Sequence, residues 1–289
     1  MLRGIVDALA HARVALVLLA LALHLTGLVI TGERWRVVIA ALGSRLRLSR
    51  TILINLAGIF VRNATPTTGL GGDASRIALL CADGVPLAQA TASFAYVRLA
   101  EVPPLVLVVA LSAPAVATLV GRSGTALRVT AALAVAAAAA AWLARDRLRA
   151  RVASIWQRTG HLRIDRGSAG LAVMYATLAQ AETLARQIVV AAAFGVPLTI
   201  QQSATITAMT IVGGLVPTVG SIGAIDGSMV AGLMLFGADA RTAVAITIVG
   251  RAISYAFTTA LGAGALALLG GRGILRAVSE RKTNTAAAG

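Results

Sequence analysis

Nine ionisable residues of this chain sit within apolar runs: Arg62, Arg76, Arg98, Arg186, Arg251, Asp73, Glu101, Glu182 and Asp226. Each would cost on the order of 2.5–3.5 kcal/mol at the centre of a lone membrane helix, so as a set they must be paired or face water. Arg98 and Glu101 are three residues apart, and Glu182 and Arg186 are four apart with the acid first. Both spacings bring side chains together on one helical face and can be read as intrahelical ion pairs that make their helices insertable. Arg251 has no such acid, because Ser254 stands where Glu101 would. Its counter-ion must be Asp226, Asp73 or an anionic ligand, and we expect Arg98 and Arg251 to face that ligand. Asp73 and Asp226 follow glycine-bearing turns and open helices, which suits N-capping and does not exclude ion coupling.

Those turns are Pro66-Thr67-x-Gly69 and Pro217-Thr218-x-Gly220, the second followed by Gly223. Helix N-termini carry partial positive charge and unpaired N–H groups, which suit anions. Arginine adds a planar fork that holds phosphate bidentately. Two such turns meeting near Arg62, Arg98, Arg186 and Arg251 would cradle a phosphate. Thr65, Thr67, Thr68, Thr218, Ser75 and Ser228 supply hydroxyls that serve either a ligand or the backbone freed by Pro and Gly. Asn55 and Asn63 are expected in interhelical hydrogen bonds, and Trp35 is expected as an interface anchor. Gln180, Gln201 and Gln202 carry no decisive signal.

The elements that must position these groups follow from composition. The chain has 289 residues, 58% hydrophobic and 13% charged, whereas a soluble domain is about 45–50% apolar and about 25% charged. A soluble enzyme, a disordered chain, collagen and a coiled coil are thereby excluded. Aromatics are only 4%, and the small residues that dominate let membrane helices approach closely. The net charge of +15 does not indicate nucleic acid, because the basic residues lie in short stretches between apolar runs. Cys81 is the sole cysteine, which excludes an intramolecular disulfide. His11, His24 and His161 have no metal-ligand spacing, so neither metal nor cofactor is expected.

Apolar runs are expected as helices at about 12–31, 51–66, 73–82, 86–112, 124–144, 168–194, 199–216, a short one to about 237, and 240–269. The runs at 51–66 and 199–216 end in Pro/Gly-interrupted turns and read as hairpins that return to their own side. Basic stretches follow the first span (Arg34, Arg36, Arg45, Arg47, Arg50), fill about 145–166, and recur in the tail 270–289. The positive-inside rule places all three in the cytoplasm. The N-terminus is then outside, against the pull of Arg3 and Arg13, which a stub helix at 2–12 lying in the interface would relieve.

Segment 73–101 aligns without a gap on 226–254, matching Asp73 to Asp226, Ser75 to Ser228, Gly84 to Gly237 and Arg98 to Arg251. The two PTxG turns align just upstream. On the topology above, the two units point in opposite directions. Inverted repeats with broken helices at matching positions are a mark of secondary transporters, with the substrate site near the midplane. The expected fold class is thus an all-α polytopic membrane protein, an inverted repeat of two re-entrant, broken-helix hairpins plus spanning helices. It forms a single transmembrane domain over 1–289, with repeat 1 at about 51–112 and repeat 2 at about 199–269.

Three stretches resemble the lysylphosphatidylglycerol synthase transmembrane-domain family, also called flippase-like. The first is RWRVVIAALGSRLRLSRTI, leading to NATPTTGLGGDASRIALLCADGVPLAQATASFAYVRLAE; the others are GGLVPTVGSIGAIDGSMVAGLMLFG and DARTAVAITIVGRAISYAF. Together they cover about 30 to 260. The resemblance implies a bacterial inner-membrane protein that moves anionic or modified lipids between leaflets. It also implies site positions at Pro66, Gly69, Asp73, Arg76, Arg98, Glu101, Pro217, Gly220, Gly223, Asp226 and Arg251. The family commonly has Glu where Asp226 stands, a shorter side chain here, and often has another helix before the first one. Its separate soluble synthase domain is absent from this sequence, and no GxSxG, HExxH or P-loop occurs. The expected function is therefore a lipid translocase and not an enzyme, with membrane lipids as partners. A non-transporting scaffold for an envelope-synthesis enzyme predicts Arg98 and Arg251 paired internally with no cavity. A small-anion or proton-coupled transporter predicts a cavity open to water only.

Overall fold

Ala and Leu are strong helix formers, and in a bilayer a helix satisfies every backbone polar group within its own segment. The structure, a computed structural model, describes residues 9–65, 70–122, 163–214 and 223–270. Among the described residues the regular elements are all helical. They are α1 (Val14–Ala41), α2 (Leu48–Ala64), α3 (Leu70–Ala82), α4 (Leu87–Ala100), α5 (Val102–Arg122), α6 (Arg166–Ala193), α7 (Ile200–Gly213), α8 (Ala224–Leu235), α9 (Ala240–Arg251) and α10 (Thr258–Leu268), with a π turn (Ala252–Phe257) joining the last two. Three stretches are long and apolar enough to cross a membrane: Val14–Ala41, Leu87–Thr118 and Ala240–Leu268. Leu18, Val106, Val109 and Leu268 lie exposed along them, as lipid-facing positions should. The expected span at 124–144, the basic loop up to residue 162 and the tail beyond Gly270 lie outside the described residues.

The first span is longer than expected. It continues to Ala41 without a break, so Arg34 and Trp35 belong to the helix and not to a loop after it. Both are buried, at 6% and 5% exposure. Trp35 is a core residue packed with Val38, Ile39 and Ile54, not an interface anchor. The reason is the run Val37-Val38-Ile39-Ala40-Ala41, which extends the apolar face one helical turn and more beyond the charges.

Helix boundaries recur along the chain. α1 and α6 have 28 residues each, and α6 starts and ends 152 positions after α1 (Val14 to Arg166, Ala41 to Ala193). α7 starts the same distance after α2. Beyond the turns the spacing becomes 153, from Leu87 to Ala240. The helix ends recur in detail. Gly84 and Gly237 adopt positive φ of 84° and 96°. Gly84 N–H donates to Cys81 O and Val85 N–H to Leu80 O, while Gly237 N–H donates to Met234 O and Ala238 N–H to Leu233 O. Both are Schellman closures, which require the left-handed residue that glycine supplies. Packing is exchanged between the halves as well: α1 lies against α6, α10 packs on α2, and α5 packs on α7.

Glycine allows two helix pairs to pack closely. A Cβ at Gly72 would stand 2.5 Å from the Gly58 carbonyl oxygen and 2.6 Å from Arg62 Cβ, so α3 touches the α2 backbone. A Cβ at Gly213 would stand 2.5 Å from Ser228 Oγ, which joins α7 to α8 in the same way. After the hairpins, each half carries a helix defect at matching positions. Pro103 and Pro104 lack the N–H groups that would continue the ladder between α4 and α5, and in the second half the π turn follows Arg251.

Outside the spans, Asp165 and Asp239 cap α6 and α9 by accepting the backbone N–H of Ser168 and Thr242, respectively. Hydrogen bonds from the Ser168 and Thr242 hydroxyls, then from the backbone, hold both carboxyls below their ordinary range. The capping contribution is thus complete above the unfolded carboxylate pKa, about 3.9, and is lost as pH falls through the lower folded value. Gly72→Val should separate α2 from α3 and destabilise the protein by about 1–3 kcal/mol. Gly227→Ala, where an added Cβ meets nothing within 4 Å, should leave stability unchanged or slightly raised. Unfolding midpoints of both variants in detergent micelles check this.

Candidate functional site

Helical periodicity turns polar residues of several helices toward one interior space. On α1 these are Thr31, Arg34 and Trp35; on α2, Asn55, Ile59 and Arg62; on α6, Ala176, Ala179, Gln180 and Thr183; on α7, Thr207, Thr210 and Ile211. Each set is spaced at i, i+3, i+4 or i+7, one face of a helix. α3 adds Arg76, α4 adds Arg98, and the break after α4 adds Glu101. They line an open cavity of about 780 Å³.

Its charges form an alternating chain across four segments. Arg76 Nη1 donates to Asp73 Oδ1 at 2.7 Å, and Arg98 Nη2 approaches the Asp73 carboxylate at 3.2 Å. Arg98 Nη1 reaches Glu101 at 3.1 Å, and Glu101 accepts from Arg34 Nη2 at 2.7 Å. Arg98 also stands over the Phe94 ring, 5.1 Å from its centroid, a cation–π distance. Gly58 makes room for the chain, since a Cβ there would collide with the Arg76 side chain. Arg62 faces the same cavity but makes no hydrogen bond or ion pair among the described residues. Three buried N–H donors at the site also lack an acceptor: Arg34 Nε, Arg76 Nε and Gln180 Nε2.

Among the other ion pairs, Arg251–Asp226 and Glu182–Arg186 lie within the apolar segments, and none of their members lines the cavity. Arg251 binds Asp226 and stands 5.2 Å from the Tyr255 ring centroid. Asp226 also accepts the Gly223 N–H at 3.1 Å, so it caps and pairs at once. Glu182 and Arg186 form an intrahelical pair at 2.8 Å. Asp73–Arg98 and Asp226–Arg251 are each 25 residues apart, the same contact at equivalent positions of the two aligned segments.

The expected site residues therefore separate. Arg62, Arg76, Arg98 and Glu101 converge on the cavity, with Asp73 bonded to two of them. Arg186, Asp226, Gly223 and Arg251 do not line it. Arg251 has Asp226, one of the counter-ions expected for it, as its partner. Pro66, Thr67, Gly69, Pro217, Thr218 and Gly220 lie outside the described residues. Asn63 makes the expected interhelical bond, to Thr259 Oγ1 at 2.8 Å, whereas Asn55 lines the cavity. Arg34 and Gln180 were not expected at a site. The apolar run after Arg36 was the signal that could have placed Arg34 inside a helix; Gln180 had only its i−3 spacing from Thr183.

Among the described residues, no group of three or more His, Cys, Asp and Glu is placed to hold a metal ion. The fold and the cavity define a multi-pass, all-α membrane protein with an open, arginine-lined cavity. The chain belongs to the family of the lysylphosphatidylglycerol synthase transmembrane region, whose family model matches residues 2–262. This membership and the long apolar helices give it a multi-pass inner-membrane location. No curated protein and no solved structure matches the chain.

Asp73→Asn leaves Arg76 buried without its counter-charge and should cost about 3–5 kcal/mol. Arg76→Met in the same background should restore part of that loss. Equilibrium unfolding of the single and double variants in mixed micelles measures both steps.

Proposed function

We propose that this protein is a lipid translocase that holds an anionic headgroup in the arginine-lined cavity while the acyl or prenyl tails stay in the bilayer. Family membership supports a general role in handling or transporting lipids. The observation that carries the finer reading is the cavity itself. Its volume, about 780 Å³, is within the range of small-molecule sites, roughly 300–1,000 Å³, and its donors outnumber its acceptors. Guanidinium groups with free N–H suit phosphate oxygens. We read the recurring helix boundaries and the exchanged packing as an inverted repeat. Its two hairpins would rearrange in alternation around a central site and expose the headgroup to one leaflet and then the other. Cytoplasmic basic loops and C-terminus complete the proposed topology.

One observation favours the scaffold reading: Arg98 and Arg251 are both internally paired. Its other expectation, that no cavity accompanies the pairing, does not fit. An envelope-synthesis enzyme remains a proposed partner on either reading.

Leaflet exchange of fluorescent phosphatidylglycerol and polyprenyl phosphate in proteoliposomes tests the proposal. Exchange should exceed that of empty liposomes and fall at least about tenfold in Arg62→Ala/Arg98→Ala, one lost charged hydrogen bond or more. Absence of exchange by protein that is folded by circular dichroism would pass the case to the scaffold. Uptake of aqueous phosphate without lipid exchange would pass it to a small-anion transporter.

A further inference from the structure

From the charge balance of the cavity we infer that its ligand group is a dianionic phosphate monoester, and not the monoanionic diester of an ordinary glycerophospholipid. The inference rests on the lipid-translocase reading. Four guanidinium groups, Arg34, Arg62, Arg76 and Arg98, meet two carboxylates, Asp73 and Glu101. Two positive charges are left over among the described residues. The other ion pairs among the described residues, Glu33–Arg36, Arg50–Asp83, Asp226–Arg251 and Glu182–Arg186, are each neutral and do not change the balance.

Arg62 stands exposed in the cavity with no hydrogen bond or ion pair among the described residues, although the neighbouring arginines each have a carboxylate partner. The donors agree with the charge. The guanidinium of Arg62 has no hydrogen bond among the described residues and faces the cavity, whereas the unbonded Arg34 Nε, Arg76 Nε and Gln180 Nε2 are themselves fully buried. A phosphate monoester brings two negative charges and three terminal oxygens. A diester brings one charge and two such oxygens, leaving one cation and part of the donor set unmatched. Arg98, with 48% of its side chain exposed, is open to the same ligand.

The test uses the full chain in detergent. Dihexanoyl phosphatidic acid, dihexanoyl phosphatidylglycerol and inorganic phosphate are titrated against the fluorescence of Trp35, which lines the cavity, in a Trp142→Phe/Trp156→Phe background. At pH 8 the monoester should bind at least about tenfold tighter than the diester. At pH 5, below the second phosphate ionisation near 6, the ratio of the two affinities should approach one; taking the ratio at each pH cancels titration of the protein itself. Arg62→Gln should lower monoester affinity about tenfold and diester affinity far less, with an unfolding midpoint equal to or above that of the wild type. Arg62→Lys should lie between.

Equal affinities at pH 8 would overturn the dianion inference and leave a lipid carrier standing. Inorganic phosphate binding as tightly as phosphatidic acid would keep the dianion and overturn the lipid. Binding of none of the three would end both. If Arg62→Gln fails to fold, Arg62 is structural and the assignment of its free charge to a ligand falls.

Discussion

Asp73 is the contact on which the cavity depends. A single carboxylate at the start of α3 engages Arg76 on its own helix and Arg98 on α4. It thereby fixes α3 against α4 and orients two of the four cavity arginines. Glu101 continues the pattern by joining Arg98 to Arg34 on α1. Together these pairs tie α1, α3 and α4 to one another along the cavity wall. Arg62 is the exception, and the rest of the network is what keeps it in place: α2 is pinned on one side by α3 and on the other by α10.

Close approach makes this possible. Lipid tails offer helices no hydrophobic reason to associate, so packing and polar contacts decide. Gly58 and Gly72 bring α2 and α3 together so closely that the long Arg76 side chain lies across the α2 backbone. At the far side, Gly262 of α10 meets the backbone and side chains of α2 at Leu56 and Phe60. Gly27 on α1 gives way to Glu182 on α6 in the same manner. Small residues at crossings and arginines beside them are thus two parts of one arrangement. The His24–Thr258 hydrogen bond, 2.6 Å and buried, adds a polar tie between α1 and α10.

Much of this was legible in the sequence, and the rest was hidden for definite reasons. Helix positions followed from apolar runs and Pro/Gly punctuation, and the local pairs Arg98–Glu101 and Glu182–Arg186 followed from helical spacing. Asp226 was among the candidate partners of Arg251, because a lone buried cation demands an acid. The end of α1 was misplaced because a window of about twenty residues closes before Arg34, and charges were then read as loop. The recurrence of α1 as α6 was invisible because those two helices share length and boundaries more than residue types. Which arginines share a cavity depends on how four helices cross, and no spacing within one segment encodes that.

The paired helix defects have a further consequence. In the first half the ladder is interrupted by Pro103 and Pro104, whose missing N–H groups are a covalent fact. In the second half the interruption is a π turn, made only by a shift of hydrogen-bond register. The first bend is permanent; the second can be taken up again by sliding the register back to the α form. The interruption before α5 is therefore set by residue type, and the one after α9 only by hydrogen-bond register.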